Sequence, residues 1–435
     1  MIWNAPIECA QPEELRRLQN TRFKETIARA ARIEFFRKGL EAAGMRPLSA
    51  SLDDLPGMSF TRKEDLRRYY PFGMLACNIE DVFEIHASSG TTGKPTVVGY
   101  TREDIHTWKT AMARSLTAMG VKRTDIVQNA YGYGLFTGGL GLHYGCMEIG
   151  ATIVPLSAGR TDLQLMIAED FGSTVLCCTP SFALHLASEA EARGRSLKNT
   201  KLRIGVFGAE PWSEDMRRLI ERKAGLTAFD IYGLSEIIGP GVAFECTERD
   251  GLHINEDLFY PEVVDPKSGE PLPEGERGEL VLTSLVREAF PLIRYRTGDL
   301  SSLWSAKCEC GRTLRKMSRV SGRTDDMLIV AGVNFYPSQV ESLILSVPGT
   351  NGEYQIWLRS EDTRDFVEVL LEVEDGLYSN PTERERLAQQ VAARLRDRIG
   401  IRMAVKVVEP RSLERSQGKA KRVFDNRSLK VLGKE

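Results

Sequence analysis

Apolar residues follow two patterns along the chain, one typical of strands and one typical of helices. Between residues 100 and 225, helical patterns alternate with apolar runs of strand length at 125–131, 152–156, 174–179 and 202–207. The helical patterns lie near 105–119, 140–149, 162–171, 181–193 and 213–223. Because strands that alternate with helices form parallel sheets, this part of the chain predicts a mostly parallel sheet flanked by helices.

The segment before this pattern is predicted to be helical. Residues 11–43 carry apolar side chains at spacings of three to five, which predicts one long helix. The sequence Thr61-Arg62-Lys63-Glu64 has the composition of a capping box, which predicts a second helix that continues through Tyr70.

The pattern changes near Tyr260, where short apolar runs are separated by glycine and proline turns. These runs predict a small β subdomain at about residues 243–320. From Arg323 onwards, the runs predict a compact α+β module, with strands and helices at 327–330, 337–345, 354–359, 366–374, 383–398 and 405–408. We therefore predict an α/β protein with a large N-terminal domain, 1–322, and a small C-terminal α+β domain, 323–435.

Composition narrows the class of protein. The formal net charge of the 435 residues is −2, which argues against binding to nucleic acid or to an anionic membrane. The first residues lack the basic and apolar segments of a signal peptide, and no apolar run is long enough to span a bilayer. Cys77, Cys146, Cys177 and Cys178 lie in apolar runs and are typical of buried thiols. We expect a cytoplasmic protein.

One glycine-rich loop carries chemistry. It contains four hydroxyl side chains, two glycines and a lysine, in the order Ser88, Ser89, Gly90, Thr91, Thr92, Gly93 and Lys94. Apolar runs on either side predict a strand, a loop and a strand. Such a loop offers backbone N–H groups, hydroxyl groups and one cation to a phosphate. Its glycine spacing differs from that of a GxxxxGK[ST] P-loop.

A second candidate site is formed by cysteine and histidine. Cys308 and Cys310 form a close pair in a polar turn, and Cys246 and His253 lie upstream. Three thiolates and one imidazole are a complete ligand set for tetrahedral Zn²⁺, so the sequence predicts a structural zinc site. The alternative is a set of free surface thiols.

Several motifs resemble those of one enzyme family, the adenylate-forming (acyl-CoA synthetase) superfamily. Besides the glycine loop, the matching stretches are 232–236, 295–300, 321–326 and 415–419. The stretches 131–139, 208–212, 236–242 and 332–339 resemble the phenylacetate–CoA ligase branch of that superfamily. The resemblance covers residues 1 to 430, and it implies a large N-terminal α/β domain with a small mobile C-terminal domain.

The resemblance also implies a reaction in two steps. A carboxylate attacks the α-phosphate of ATP to give an acyl adenylate and pyrophosphate, and the thiol of coenzyme A then displaces AMP to give a thioester. Mg²⁺ is expected with ATP, and a homodimer is expected from the resemblance alone. The substrates would be ATP, coenzyme A and a small aromatic carboxylic acid.

The family's residue roles can be carried over to matching positions. Lys419 would bridge the carboxylate and the α-phosphate, although Lys421 is a nearby alternative, and Glu236 would hold Mg²⁺. Asp299 would accept hydrogen bonds from the ribose, assisted by Arg323, and Asp325 would lie at the domain hinge. The remaining nucleotide-binding residues would be those of the glycine loop, Tyr232 against adenine, Gly233 and Ser235 in its motif, and Gly208, Ala209 and Glu210 along the purine edge.

The acid pocket is predicted to be apolar and aromatic. Its residues would be Tyr131, Tyr133, Phe136, Ala209, Ile237, Ile238, Gly239 and Pro240. Such a pocket favours an aryl acid, with phenylacetate or a close arylacetate preferred. Alternatives are indoleacetate, benzoate, a hydroxy- or aminobenzoate, or adenylyl transfer without coenzyme A. A regulator without activity is disfavoured because Lys419 and Glu236 are both present. His86, His106, His143 and His185 are interpreted as isolated structural or surface residues.

Overall fold

A computed structural model describes residues 1–88, 94–361, 364–415 and 420–427 of the protein. The chain divides into two compact units. Unit 1 comprises Met1–Cys178, Thr200–Ala209 and Thr227–Arg319, and unit 2 comprises Thr179–Asn199, Glu210–Leu226 and Val320–Glu435. The boundary expected at 322/323 lies near the start of the last segment of unit 2. The division into domains at 322/323 stays a prediction, because unit 2 also contains the earlier segments Thr179–Asn199 and Glu210–Leu226.

The α-helices of unit 1 are α1 (Ala5–Glu8), α2 (Pro12–Ala30), α3 (Glu34–Ala42), α4 (Lys63–Arg68), α5 (Arg102–Ala118), α6 (Thr137–Ile149) and α7 (Thr161–Asp170). Those of unit 2 are α8 (Pro180–Ala192), α9 (Glu214–Ala224), α10 (Pro337–Leu345), α11 (Asp375–Tyr378) and α12 (Pro381–Ile399). Short 3₁₀ helices cover Leu52–Gly57, Ile79–Asp81 and Leu197–Asn199.

The strands of unit 1 are β1 (Glu84–Ala87), β2 (Val97–Tyr100), β3 (Ile126–Asn129), β4 (Thr152–Val154), β5 (Val175–Cys178), β6 (Ile204–Gly208), β7 (Thr227–Leu234), β8 (Gly239–Glu245), β9 (Leu252–Ile254), β10 (Phe259–Val264), β11 (Gly278–Ser284), β12 (Tyr295–Ser301), β13 (Leu303–Trp304) and β14 (Lys316–Met317). The strands of unit 2 are β15 (Leu328–Val330), β16 (Val333–Phe335), β17 (Thr350–Glu361), β18 (Arg364–Val373), β19 (Ala404–Val408) and β20 (Val423–Asp425).

A nine-stranded sheet organises unit 1, in the order β13-β14-β9-β8-β7-β6-β5-β3-β4. Strands β3 to β7 pair in parallel, as the alternation of strands and helices predicts. Strands β5 and β6 are buried at every position, which explains why they are short runs of apolar residues without alternation. Strands β8, β9, β13 and β14 extend this sheet with antiparallel pairs, while β10, β11 and β12 form a separate three-stranded sheet.

Unit 2 contains a four-stranded sheet in the order β19-β18-β17-β20 and a small hairpin of β15 and β16. Its apolar core includes Ile356, Leu371 and Val391, which contribute from two strands and from α12. The fold is therefore of the predicted α/β class, with an α+β module at the C-terminal end. Within the described ranges, no helix is both long and apolar enough to cross a membrane.

Two details of the N-terminal helices were predicted wrongly. The helical pattern of residues 11–43 forms two helices, α2 and α3, which are separated by a turn at 31–33. The second helix begins at Lys63 with Arg62 as its N-cap, rather than with Thr61. Thr61 instead donates its hydroxyl to the carbonyl oxygen of Ile293 at 2.6 Å, so a tertiary contact replaces the local cap.

Candidate active site

Tyr232 and Asp299 come together in unit 1, although they are far apart in sequence. The Tyr232 hydroxyl, near the end of β7, donates to Asp299 Oδ2 on β12 at 2.7 Å. The backbone N–H of Asp299 donates to Thr297 Oγ1 at 3.0 Å, and the Thr297 hydroxyl in turn donates to the carbonyl oxygen of Leu280 at 2.8 Å. These bonds fix the Asp299 carboxylate beside the hydroxyl end of the Tyr232 ring, so the two residues predicted to bind the nucleoside lie together.

Gly208 and Gly233, which belong to the two motifs predicted to contact adenine, are required by strand packing. A Cβ at Gly233 would lie 1.9 Å from the carbonyl oxygen of Gly239, and a Cβ at Gly208 would lie 2.2 Å from that of Ile231. Neither position can hold a side chain without moving the backbone of β7 or β8. Ala209, which follows, has a positive φ of 70° that most residues avoid. The motifs therefore have a structural cause that is independent of any nucleotide.

Glu236 forms a contact that the sequence did not predict. Its carboxylate is buried, and Oε1 lies 3.2 Å from the ammonium of Lys63. The neighbouring Ser235 shares a hydrogen bond of 3.0 Å with the hydroxyl of Thr137. The position expected to hold Mg²⁺ thus has a cation of the protein beside it, which offsets the cost of burying the carboxylate.

The glycine loop connects β1 and β2, which pair as an antiparallel hairpin, so the predicted strand, loop and strand are present. The N–H of Ser88 donates to the carbonyl of Thr96 at 2.9 Å and closes the base of the loop. The ammonium of Lys94 lies 5.1 Å from the centre of the Tyr70 ring, within range of a cation–π contact. The other predicted phosphate-binding residues, Ser89, Gly90, Thr91, Thr92 and Gly93, lie outside the described residues.

The residues predicted to bind the acid differ in exposure. The side chains of Ile237 and Ile238 are fully buried, and their carbonyl groups accept hydrogen bonds from Arg287 at 2.8 Å and from Tyr100 at 3.0 Å. Tyr131 is also buried, whereas Phe136 is 36% exposed. The pocket role of these residues stays a prediction, together with that of Ala209, Gly239 and Pro240.

Tyr133 is held by two polar partners. Its hydroxyl accepts from Asn129 Nδ2 at 2.8 Å and lies 3.2 Å from His143 Nδ1. Burial raises the pKa of Tyr133 to about 12, so the phenol stays neutral at physiological pH. With both contacts made, this hydroxyl has little capacity left for a polar group on a substrate.

Three of the predicted site residues that the structure describes belong to unit 2, namely Glu210, Arg323 and Asp325. Glu210 accepts hydrogen bonds from the backbone N–H groups of Ser181 at 2.8 Å and Ala420 at 3.0 Å. Arg323 Nε donates to Asp325 Oδ1 at 2.9 Å, in an exposed ion pair. Lys419 lies outside the described residues. The ammonium of Lys421 lies 4.7 Å from the centre of the Phe424 ring.

The predicted metal ligands form a compact cluster in unit 1, which we call the Cys/His cluster. The ligand atoms of its members, Cys246, His253, Cys308 and Cys310, all lie within 4.8 Å of one another. Cys246 Sγ is 3.6 Å from Cys308 Sγ, and Cys310 Sγ is 3.5 Å from His253 Nε2. A tetrahedral Zn²⁺ with bonds of about 2.3 Å to sulfur and about 2.0–2.1 Å to nitrogen separates its ligands by about 3.5–3.8 Å. The Cys246–Cys308 and Cys310–His253 separations fit this geometry.

Neighbouring groups orient the Cys/His cluster. His253 Nδ1 lies 3.2 Å from the carbonyl oxygen of Leu314, which directs Nε2 towards the thiols. Hydrogen bonding from Cys246 lowers the pKa of the Cys310 thiol and raises that of Cys246 itself. Two residues after Cys310, the buried Arg312 donates from Nε to Glu8 Oε2 at 2.7 Å and ties α1 to this loop.

His86 and His143 are structural, in agreement with their interpretation, but they are not isolated. His86 is buried, and its ring contacts Glu84 and the carbonyl of Leu135, while His143 contacts Tyr133. One signal was present in the sequence, because Glu84 and His86 are two apart in a strand and therefore share a face. The hydroxyl of Tyr144, on helix α6, also donates to Glu84, and no sequence pattern indicates this contact.

Comparison with known families agrees with this arrangement. Residues 51–285 match the family described as AMP-binding enzyme, and residues 332–427 match the AMP-binding enzyme C-terminal domain. The first match alone spans more than half of the chain. The protein therefore belongs to the AMP-binding enzymes, which are the adenylate-forming superfamily.

Its relatives indicate the branch of that family. The chain is 46% identical to the phenylacetate-coenzyme A ligase of Thermus thermophilus, over 98% of this chain and 100% of the relative. It is 47% identical to the phenylacetate-coenzyme A ligase of Aromatoleum evansii, over 97% of each chain. The fold is similar to that of 2-hydroxyisobutyryl-CoA ligase in complex with R3-HIB-AMP, with a TM-score of 0.92, 27% identity and coverage of 98% of this chain and 93% of that one. These similarities place the sequence in the phenylacetate–CoA ligase branch.

Proposed function

We propose that this protein is an ATP-dependent phenylacetate–CoA ligase, which forms a phenylacetyl adenylate and then a thioester with coenzyme A. The observation that carries the proposal is the identity of 44–47% to four phenylacetate-coenzyme A ligases, over 97–98% of this chain and 96–100% of each relative. The paired Tyr232 and Asp299 support it, since they give unit 1 a place for the nucleoside.

In the first half-reaction, the protein's main contribution is to hold two anions together. Asp299 accepts hydrogen bonds from the ribose, and the ring of Tyr232 packs against adenine. The glycine loop binds the β- and γ-phosphates and releases them as pyrophosphate. Lys419 would bridge the attacking carboxylate and the α-phosphate, where its charge would stabilise the transition state most.

Release of AMP in the second half-reaction requires the adenylate to be exposed to the thiol of coenzyme A. The carboxyl carbon of the adenylate accepts the thiolate sulfur, and the bond to the AMP oxygen breaks. Arg323 and Asp325 lie close to the start of the last segment of unit 2, where a change of backbone conformation would reorient the module that carries Lys419.

Glu236 is proposed to hold the Mg²⁺ that accompanies ATP. A carboxylate and phosphate oxygens are suitable ligands for this cation, and the buried Glu236 supplies the carboxylate. When bound, Mg²⁺ neutralises charge on the leaving pyrophosphate. Because Lys63 lies 3.2 Å from Glu236 in the structure, its ammonium must move aside or share the carboxylate when the cation binds.

The Cys/His cluster is proposed to hold one structural Zn²⁺. Its four ligands leave no open coordination position, which excludes a role in activating water or substrate. The ion would instead fix the loop at 308–312 against β8 and β9. The same loop carries Arg312, so zinc would also stabilise the attachment of the N-terminal residues through Glu8.

Phenylacetate is favoured over other acids by the character of the predicted pocket. A buried aromatic ring removes over 100 Å² of surface from water, worth roughly 3 kcal/mol relative to acetate. The hydroxyl of Tyr133 is engaged by Asn129 and His143, so a hydroxybenzoate would bring a polar group without a ready partner. Indoleacetate and benzoate differ less from phenylacetate, and about 1–3 kcal/mol is the usual span for such differences.

The experiment that tests the function measures AMP release with a panel of acids, with and without coenzyme A. The panel contains acetate, benzoate, phenylacetate, 4-hydroxybenzoate and indoleacetate. We expect the highest kcat/KM with phenylacetate and AMP release only when coenzyme A is present. A tenfold lead for acetate or 4-hydroxybenzoate would contradict the substrate. Transfer of the adenylyl group to an acceptor without thioester formation would contradict the ligase reaction.

A further inference from the structure

The ring of His86 contacts two acceptors at once. His86 Nδ1 lies 3.0 Å from the carbonyl oxygen of Leu135, and Nε2 lies 2.5 Å from Glu84 Oε1. A carbonyl oxygen only accepts, so Nδ1 must carry the proton of the first bond. The ring is buried, and the rings of Tyr100 and Trp108 meet it edge-on at 5.4 Å and 5.9 Å, which prevents it from turning freely.

Glu84 extends this contact to helix α6. Its second oxygen, Oε2, accepts a hydrogen bond of 2.5 Å from the hydroxyl of Tyr144. Burial acts to raise the pKa of Glu84, but the hydrogen bonds from His86 and Tyr144 lower it overall, so the carboxylate is charged at neutral pH. Tyr144, Glu84, His86 and the Leu135 carbonyl therefore form a continuous polar chain, which we call the β1–α6 clasp.

The clasp ends at Leu135 in the segment 131–136, which leads directly into α6. The side chains at its C-terminal end are exposed, 62% for Leu135 and 36% for Phe136, so they contribute little packing. The Leu135 carbonyl instead accepts from two donors on one strand, His86 Nδ1 and the backbone N–H of Ala87, each at 3.0 Å. These two bonds fix the C-terminal end of the segment, whereas its first half is held by the burial of Tyr131 and by the contacts of Tyr133 with Asn129 and His143.

We propose that His86 is a positioning residue for the aromatic acid: through Nδ1 it fixes the C-terminal end of the segment 131–136, to which the proposed function assigns one wall of the acid pocket. This role rests on the proposed function for its substrate, but the geometry of the clasp does not depend on it. His86 acts through the backbone of Leu135 and not through contact with the acid. Loss of its Nδ1 bond should therefore weaken acid binding more than it slows the chemical step.

Two substitutions separate the two bonds of His86. The amide nitrogen of asparagine occupies roughly the position of Nδ1, so His86→Asn keeps a donor to Leu135 and loses the contact with Glu84. Glutamine places its amide near Nε2, so His86→Gln keeps the contact with Glu84 and loses the donor to Leu135. We expect His86→Gln to raise the KM for the acid at least tenfold with little change in the KM for ATP. We expect His86→Asn to stay near the wild-type KM.

A matched control removes a buried hydrogen bond of the same kind elsewhere in unit 1. Gln19 Nε2 donates to the carbonyl of Glu256 at 2.9 Å, and Gln19→Met deletes that bond. Gln19→Met should lower thermal stability as much as His86→Gln without raising the KM for the acid. The rate of thioester formation from supplied phenylacetyl adenylate at saturating concentration should be equal in His86→Asn, His86→Gln and Gln19→Met. Under that condition the adenylate is already bound when the thiol attacks.

Hydrogen exchange supplies a readout that needs no substrate. Amides of residues 131–137 should exchange faster in His86→Gln than in wild type, His86→Asn or Gln19→Met. The proposal is overturned if His86→Asn and His86→Gln raise the KM for the acid equally, or if exchange in this segment is unchanged in His86→Gln. If wild type activates none of the aryl acids, the proposed function fails, and the exchange experiment still decides the role of His86.

Discussion

The Cys/His cluster and the predicted nucleotide-binding residues both have members on strands of the nine-stranded sheet, His253 on β9 and Tyr232 on β7, but they differ in how they are distributed along the chain. All four members of the cluster belong to unit 1, and their ligand atoms lie within 4.8 Å of one another. Of the residues predicted to bind the nucleotide, Tyr232 and Asp299 belong to unit 1, whereas Arg323 and Asp325 belong to unit 2. The predicted zinc ligands therefore all come from one unit, whereas the residues predicted to bind the nucleotide are divided between the two units in sequence.

This difference predicts separate effects on stability and on catalysis, and the cluster should give the largest. Cys308→Ser removes one zinc ligand from a buried site. Structural zinc is worth about 10–16 kcal/mol in small peptides, and we expect a loss on the order of 5 kcal/mol in the unfolding free energy here. Elemental analysis should show one zinc per wild-type chain and none in the variant.

Cys77→Ser is the matched control, since Cys77 is a free cysteine outside the cluster. It should keep both zinc and stability. At a temperature where Cys308→Ser remains folded, its adenylation rate should match that of wild type. Zinc-free wild-type protein, or a Cys308→Ser variant with slow adenylation but normal stability, would break the comparison.

Lys419→Ala should give the largest effect on catalysis. Loss of a well-placed charge that stabilises a transition state costs roughly 3–4 kcal/mol, which slows adenylate formation by about 10²–10³-fold. Thioester formation from supplied adenylate should survive, and so should the melting temperature. Lys421→Ala is the control, because its ammonium lies against the Phe424 ring. Equal loss of both half-reactions in Lys419→Ala would refute its assignment.

Tyr232→Phe should have a smaller effect, on binding of the nucleotide. The substitution keeps the ring and deletes the 2.7 Å hydrogen bond to Asp299. A hydrogen bond to a charged group contributes about 1.5–3 kcal/mol, so the KM for ATP should rise roughly tenfold or more. Tyr260→Phe, on β10, serves as the control and should leave that KM unchanged. An unaltered KM in Tyr232→Phe would show that this bond does not orient Asp299 for the ribose.

Lys63→Met should have the smallest effect. The Lys63–Glu236 pair is partly exposed on the lysine side, and such pairs contribute about 0.2–1 kcal/mol, so the Mg²⁺ concentration for half-maximal activity should fall a few-fold. Lys38→Met removes the exposed Lys38–Glu34 pair on α3 and should change nothing. A higher Mg²⁺ requirement in Lys63→Met would show that the lysine assists the cation instead of competing with it.

Sequence patterns predicted those parts of the molecule that depend on local order. The buried strands β5 and β6 are short apolar runs, and α6 and α9 follow the helical spacing closely. The hairpin around the glycine loop follows from its flanking runs. The cluster was predictable because three cysteines and one histidine make a complete ligand set whatever path the chain takes between them.

Contacts between distant residues were not predictable, since they depend on the completed fold. Lys63 lies on α4 and Glu236 lies in the turn between β7 and β8, and nothing near either residue in the sequence indicates the other. Likewise, the Tyr144 hydroxyl reaches Glu84 only because α6 packs near β1. The break between α2 and α3 also has no strong local signal, because residues 31–33, Ala-Arg-Ile, contain neither glycine nor proline.

The assignment of α8 and α9 to unit 2 has a consequence for dividing the protein into fragments. Gly352 on β17 has no room for a side chain, because a Cβ there would lie 2.6 Å from Leu184 of α8 and 3.3 Å from Leu219 of α9. Glu341 of α10 also accepts from the N–H of Ser213 at 3.1 Å. A fragment that ends near residue 319 would keep both helices but lose these partners, leaving apolar side chains uncovered. Recombinant expression of such a fragment should therefore yield aggregates unless Leu184 and Leu219 are replaced by polar residues.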